Sequence, residues 1–176
     1  MMKKRRMVKV YRFIAIKHFY NLAGYLLPIL AVFVLILGTY GSIGGLYLAP
    51  ADYQQGDAFR IIYVHVPSAF LSLFIYLVMA MAAVIGLIFR IKLADLIVSG
   101  SVFLGSWFTF LALLTGSVWA KPMWGAWWVW DARLTSELIL LFLYLGVIAL
   151  RSAIPEPRVA AKATAVLLML GLANIP

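Results

Sequence analysis

The chain has 176 residues, of which 65% are hydrophobic and only 12% are charged, with a formal net charge of +9 and no cysteine. Soluble domains carry about 25% charged residues, so this balance excludes an ordinary soluble protein. The lack of cysteine in the sequence excludes disulfides, thiolate metal sites and thiol redox chemistry as functions of the chain itself.

The chain begins with a basic arm that leads into an apolar run. Residues 1–21 contain seven basic residues, and the run extends from about Leu22 to Leu37. Because the basic lead is long and no convincing cleavage pattern follows it, we expect an uncleaved membrane anchor rather than a signal peptide. Pro28 is expected to bend this helix without breaking it.

Four more apolar runs follow, over residues 69–89, 96–114, 134–150 and from about 161 onward. Their lengths are typical of transmembrane helices, although the last is barely long enough to span. The sequence therefore predicts an all-α, polytopic integral membrane bundle with five transmembrane runs. We expect one basic arm, residues 1–21, and one transmembrane domain, residues 22–176.

The basic residues predict the orientation of the bundle. The N-terminal arm, the 90–95 turn and the 151–162 loop hold twelve of the fifteen lysines and arginines. The positive-inside rule places these segments in the cytoplasm, so the loops 44–63 and 115–133 face outward. Charges clustered between spans indicate topology signals, and we expect no nucleic-acid partner.

The outer loop 115–133 is the most unusual stretch, because it holds five of the six tryptophans. These are Trp119, Trp124, Trp127, Trp128 and Trp130. If Pro122 opens a short helix, positions 124, 127, 128 and 131 share one helical face. The pattern then predicts a flat aromatic shelf that ends at the carboxylate of Asp131. Lys121 and Arg133 flank this shelf as positive charges, which suits a planar ligand with acidic groups.

Tryptophan is also common at membrane–water boundaries, where its ring sits among lipid headgroups. An anchoring belt would spread its rings over several helix ends, whereas nearly all the tryptophans here lie in one loop. This concentration favours a ligand-binding role over anchoring alone.

The chain has two histidines, and they differ in their surroundings. His18 lies in the basic arm and is expected to be solvated or to contact headgroups. His65 precedes Pro67 at the outer end of the second run, on the same side as the tryptophan loop. Imidazole is the commonest axial ligand of haem iron, and haem also needs aromatic walls and cations for its propionates. We therefore interpret His65 as an iron ligand, with His18 too distant to act with it.

The fourth run opens with charged residues that have ordinary structural explanations. Arg133 and Glu137 are spaced as an i, i+4 ion pair, and acidic side chains near a helix N-terminus complement its dipole. Asp131 remains a site candidate because it shares the predicted tryptophan face.

Two motifs carry a family resemblance. The loop sequence WGAWWVWD (124–131) resembles the tryptophan-rich WWD signature of haem-handling membrane proteins of cytochrome c maturation. Its continuation ARLTSEL (132–138), together with YVHVPS (63–68), is similar to the CcmC, or haem exporter protein C, branch. The resemblance covers nearly the whole chain from about residue 20.

The resemblance implies six transmembrane helices and a haem bound outside the membrane between two loop histidines and the WWD segment. It also implies association with the ABC transporter proteins CcmA and CcmB and with CcmD, and loading of haem onto the chaperone CcmE. By position, His65 matches the first axial histidine and residues 124–131 match the WWD motif. Because the sequence stops at Pro176, before the second histidine and sixth helix of the family, we expect a C-terminally truncated chain.

We interpret the chain as a non-enzymatic subunit that binds haem b as transient cargo and delivers it to CcmE. The expected location is the bacterial inner membrane, with the haem site facing the periplasm. Lys121 and Arg133 are candidates to pair with the propionates. Two alternatives stay open: a haem lyase of the same superfamily, whose known branches have more spans, and a permease subunit whose tryptophans only anchor it. A permease path needs polar residues inside the spans, which are rare here.

Overall fold

The computed structural model describes residues 16–175 and confirms the predicted all-α architecture. The helices are α1 (Ile16–Ile43), α2 (Ile62–Phe89), α3 (Lys92–Trp124), α4 (Ala132–Ala153) and α5 (Pro157–Gly171). Among the described residues there is no β-strand, only an isolated bridge between Asp52 and Gly56. The apolar runs form helices because a helix satisfies its own backbone polar groups where no water is available.

Helices α1 to α4 are long and apolar enough to cross a membrane. The fifth predicted run forms α5, which has 15 residues. At 1.5 Å per residue α5 is about 22 Å long, shorter than the hydrocarbon core of about 30 Å. The chain is therefore a multi-pass helical membrane protein in which α5 is a shorter member of the bundle.

Helices α2 to α5 form a closed ring, in which α2 packs against α3 and α5, and α4 packs against α3 and α5. Tyr76 of α2 and Tyr144 of α4 are fully buried at its centre, with perpendicular rings 5.4 Å apart. The Tyr144 hydroxyl donates a hydrogen bond to the Ser72 carbonyl at 2.7 Å. Gly105 of α3 leaves room for the Tyr144 ring, which a Cβ atom there would overlap. Small residues facing large ones let these helices approach closely.

Helix α1 stands apart from this ring, since none of its residues is buried. It continues through Pro28, as expected. A π-helical turn (Gly44–Leu48) and a 3-10 turn (Asp57–Ile61) connect it to α2. The Arg60 guanidinium donates to the Ala49 carbonyl at 3.0 Å and so ties the two turns together. Of the predicted basic arm, residues 1–15 lie outside the described residues and 16–21 form the start of α1.

The antiparallel helices gather two contrasting sets of residues. The aromatic end comprises His65 near the start of α2, Trp119 near the end of α3, and the loop of residues 125–131. The basic end lies where α2 and α4 finish and α3 and α5 begin, and its cations are Arg90, Lys92, Arg151, Arg158 and Lys162. The positive-inside rule predicts that the basic end faces the cytoplasm.

Candidate functional site

His65 lies within helix α2 rather than ahead of it, because α2 begins at Ile62. Its half-buried ring faces α3, where Nδ1 is 3.1 Å from the Ala112 carbonyl oxygen and 3.1 Å from Thr115 Oγ1. Gly116 provides the space for this contact, since a Cβ atom there would lie 3.0 Å from His65 Cε1. The imidazole is thus held by packing and hydrogen bonds between two helices.

The two partners of Nδ1 determine which nitrogen of His65 carries the proton. A carbonyl oxygen only accepts, and the Thr115 hydroxyl already donates to the Leu111 carbonyl at 2.7 Å. Both partners are therefore acceptors toward the ring, so Nδ1 carries the hydrogen and Nε2 keeps its lone pair. Among the described residues Nε2 has no hydrogen-bond partner. A neutral imidazole fixed through one nitrogen presents the other to a metal.

Trp119 is the tryptophan whose ring packs against His65. The two ring centroids are 5.7 Å apart and the planes meet at 69°, an edge contact. The indole Nε1 of Trp119 donates to Gln55 Oε1 at 3.0 Å. Gln55 is positioned in turn by Asp52, whose carboxylate accepts from the Gln55 backbone N–H at 2.8 Å. The connecting segment before α2 therefore orients the indole beside the histidine.

The prediction that Pro122 opens a short helix is wrong. Helix α3 continues to Trp124 and contains Pro122 in its last turn. It stops at Gly125, which has φ +74° and donates its N–H to the Lys121 carbonyl at 3.0 Å. A glycine in the left-handed conformation commonly ends a helix, and Gly125 ends α3 in this way. Proline is also common in the first turn of a helix, but Pro122 does not begin a new helix here. The tryptophan loop is consequently limited to residues 125–131.

The predicted flat shelf is not present either, because residues 125–131 are not helical and share no helical face. Trp124, Trp127 and Trp130 are 51%, 58% and 76% exposed. Trp128 is half-buried and meets Trp130 at an angle of 77°, with centroids 5.4 Å apart. The loop thus presents several separate indole faces rather than one continuous surface.

The two predicted cations lie against these indoles. The Arg133 guanidinium carbon is 5.6 Å from the Trp124 ring centroid, and Lys121 Nζ is 6.0 Å from that of Trp127. Lys121 also donates to the Gly125 carbonyl at 2.9 Å. Both positive groups are therefore beside exposed aromatic faces, as the sequence indicated, and they remain accessible to a negatively charged ligand.

Asp131 acts as the N-cap of α4, with its carboxylate accepting from the Leu134 N–H at 2.8 Å. It also pairs with Arg133 at 3.0 Å. The Leu134 hydrogen bond, with the help of Arg133, lowers the pKa of Asp131 from its ordinary value. The expected Arg133–Glu137 pair is not formed, because Glu137 instead accepts a hydrogen bond from Ser72 of α2 at 2.7 Å. Asp131 therefore fixes where the loop ends.

The family model described as CcmC, heme exporter protein C, matches residues 9–176. The chain belongs to the heme exporter protein C family. Proteins of that name from Escherichia coli K12 and Haemophilus influenzae are 54% and 50% identical to it over 157 residues, which is 89% of this chain and 64% of each relative. The chain thus spans 64% of the length of these curated relatives.

A more distant relative is a ccmC-like mitochondrial protein of cytochrome c biosynthesis from Marchantia polymorpha. It is 44% identical over 144 residues, covering 82% of this chain and 59% of the relative. The resemblance to the heme exporter protein C family is therefore confirmed over most of the described helices.

The structure brings His65 into contact with Trp119, while the other four tryptophans of segment 115–133 lie at the end of α3 and in the loop. Sequence reasoning missed two residues that hold the site. Thr115 and Gln55 lie fifty and sixty-four positions from the side chains that they bind, His65 and Trp119. The Asp52 turn before Gln55 was a detectable local signal, but its contact with α3 requires the folded bundle.

Proposed function

We propose that this chain binds haem at the aromatic end and delivers it to the periplasmic chaperone CcmE during assembly of c-type cytochromes. The observation that carries the proposal is the state of His65. Its Nδ1–H is held by Ala112 and Thr115, and its Nε2, which has no hydrogen-bond partner among the described residues, can bind iron. Anchoring of the second ring nitrogen fixes the ring orientation and raises the basicity of a metal-binding histidine.

The exposed tryptophans support the same proposal by offering faces for a large planar ligand. Trp124, Trp127 and Trp130 each expose more than half of their surface. Burying indole and macrocycle faces against each other is favourable. The Trp128 indole Nε1 is buried without a hydrogen-bond partner among the described residues, which a ligand oxygen at this end would correct.

The charges near the loop suit the acidic groups of haem. Lys121 and Arg133 are the candidates to pair with the propionates, and each lies beside an exposed indole. A site formed on the surface of the bundle, with one histidine from a rigid helix, can release its cargo without opening the core. This arrangement supports a carrier rather than an enzyme.

The proposal includes the surroundings of the chain. We place it in the bacterial inner membrane with the aromatic end facing the periplasm, in agreement with the distribution of basic residues. Its partners are CcmE, CcmD and the ABC transporter proteins CcmA and CcmB. The cargo is haem b, held without covalent attachment, since the chain has no cysteine to form a thioether.

The test compares visible spectra of the detergent-purified chain, supplied with haem, and two single variants. We expect the parent and His18→Ala to show equal Soret bands and His65→Ala to lose most of its band. The control is matched because these are the chain's two histidines, and His18 lies near the opposite end of the bundle. Equal bands in the parent and His65→Ala would remove His65 from the proposal.

A further inference from the structure

The basic end contains a cavity of about 800 Å³ that the haem proposal does not use. All five helices contribute to its lining. Its cations are Arg90, Lys92, Arg151, Arg158 and Lys162, and its acidic residues are Asp95 and Glu156. Five positive charges thus face two negative charges in a space between helix ends.

Both carboxylates are already used by the protein itself. Asp95 pairs with Arg151 at 2.9 Å, and Glu156 is the N-cap of α5, accepting from the Arg158 backbone N–H. Neither Arg158 nor Lys162 has an ion-pair partner among residues 16–175. Residues 1–15 contain basic but no acidic side chains, so they supply no carboxylate. The cavity therefore carries a surplus of positive charge.

A buried hydroxyl group is the second feature of the cavity that suits a ligand. Thr164 of α5 lines the cavity and is only 1% exposed, yet its hydroxyl has no hydrogen-bond partner among the described residues. A threonine hydroxyl in a helix commonly bonds to a carbonyl of the preceding turn, and a buried polar group without a partner is costly. An acceptor oxygen inside the cavity would satisfy it.

The backbone of Arg90, another residue of the lining, has an unusual conformation. Arg90 is the only non-glycine residue with positive φ among those described, at 54°, and it follows the end of α2. Glycine adopts this left-handed conformation with less strain, so the arginine backbone is strained at this position. Its position places a cation on the cavity lining.

The rest of the lining indicates the class of ligand. Apolar residues of α2 and α3, including Ala83, Leu87 and Val98, share the cavity with the cations. Among residues 16–175, the lining has no histidine, methionine, cysteine or tyrosine, the side chains that bind haem iron. Basic pockets between transmembrane helices at the cytoplasmic side are suited to anionic lipid headgroups.

We propose that this cavity binds the phosphate of an anionic phospholipid, with Arg158 and Lys162 contacting the phosphate and Thr164 donating its hydroxyl. The apolar part of the lining accommodates the glycerol and the start of the acyl chains. A bound lipid would join the start of α5 to the ends of α2 and α4 without using a protein carboxylate. The proposal does not depend on haem binding.

Native mass spectrometry of the detergent-purified chain tests it, with equal amounts of phosphatidylglycerol and phosphatidylcholine added. We expect a one-to-one adduct with phosphatidylglycerol, which should be preferred about tenfold or more over phosphatidylcholine. Arg158→Gln combined with Lys162→Gln should remove about tenfold of that affinity, since each basic residue near an anionic headgroup contributes several-fold. Lys17→Gln is the matched control, because Lys17 is exposed and does not line the cavity.

Thr164→Val provides a variant of nearly unchanged shape if the double variant fails to fold. It should bind phosphatidylglycerol several-fold more weakly and leave phosphatidylcholine unaffected. Equal binding of the two lipids, or an equal loss in Lys17→Gln, would overturn the proposal. Displacement of phosphatidylglycerol by millimolar inorganic phosphate would also overturn it, because the free ion would then be the ligand.

Discussion

The two ends of the bundle use the same helices for different purposes. At the aromatic end, Trp124 at the end of α3 and Trp127 and Trp130 in the loop are more than half exposed, and the buried Trp128 indole N–H has no partner among the described residues. At the basic end the turns are short, and Arg151 joins α4 to α3 through Asp95. The first end presents aromatic faces with little charge, whereas the second presents charge around a cavity.

This contrast assigns stability to the packed centre of the bundle and ligand recognition to its ends. The interlocked pair Tyr76 and Tyr144 fixes the centre, so neither end has to stabilise the helices alone. His65 is held between two helices of the bundle, while Trp127, Trp128 and Trp130 belong to the loop. For the proposed function, a histidine fixed between two helices and indoles carried on a loop suit a cargo that must be released.

The largest effect should come from removing two indoles at the aromatic end. Trp127→Ala combined with Trp128→Ala should weaken haem retention at least tenfold, because each aromatic ring buries a large apolar area against a planar ligand. Haem content per protein after gel filtration measures this. Trp107→Ala is the control, since that tryptophan is 62% exposed and lies in the middle of α3. Unchanged haem content in the double variant would remove these indoles from the site.

A smaller effect on haem affinity is expected from substituting Thr115, the residue that orients the His65 ring. Thr115→Val removes one of two acceptors of His65 Nδ1–H and keeps the Ala112 carbonyl. Loss of such a partner typically lowers metal affinity about 10- to 100-fold, and because the Ala112 carbonyl remains, haem affinity should fall by about tenfold or less. Thr115→Ser should restore it. If haem titration gives one affinity for all three proteins, Thr115 has no positioning role.

The smallest effect concerns the boundary of the loop. The lowered pKa of Asp131 means that its ionised form stabilises the start of α4. This contribution is complete above the unfolded pKa of about 3.9 and is lost as pH falls through the lower folded value. Hydrogen exchange of the Leu134 amide, corrected for intrinsic rate, should therefore lose protection in acid. Asp131→Asn should show a flat profile, and an equal acid response in both would contradict the cap.

Much of the fold was predictable because the membrane imposes it. Long apolar runs with basic residues between them indicate spanning helices, and α1 to α4 follow those runs. The residues at which the helices end were less predictable from the sequence. Helix α3 extends ten residues beyond the expected limit of 114, because the segment through Pro122 still satisfies helical geometry until Gly125 stops it.

The candidate site shows a similar division. The prediction that His65 and the tryptophan segment lie at the same end of the bundle is supported by the contact between His65 and Trp119. The prediction that four of these residues share a helical face was wrong, because it assumed that residues 122–131 form one helix. The partners Thr115 and Gln55 could not be found, because their contacts join segments distant in sequence and depend on how α2 packs against α3.

The most direct test of the central claim, that His65 Nε2 binds iron, is chemical rescue. His65→Gly should retain little haem, and added imidazole should restore the Soret band by occupying the vacated position beside Trp119. Imidazole should not restore haem to the Trp127→Ala, Trp128→Ala protein, which still has its histidine. If His65→Gly retains haem without imidazole, or if imidazole restores none in a variant that inserts normally, His65 is not the iron ligand.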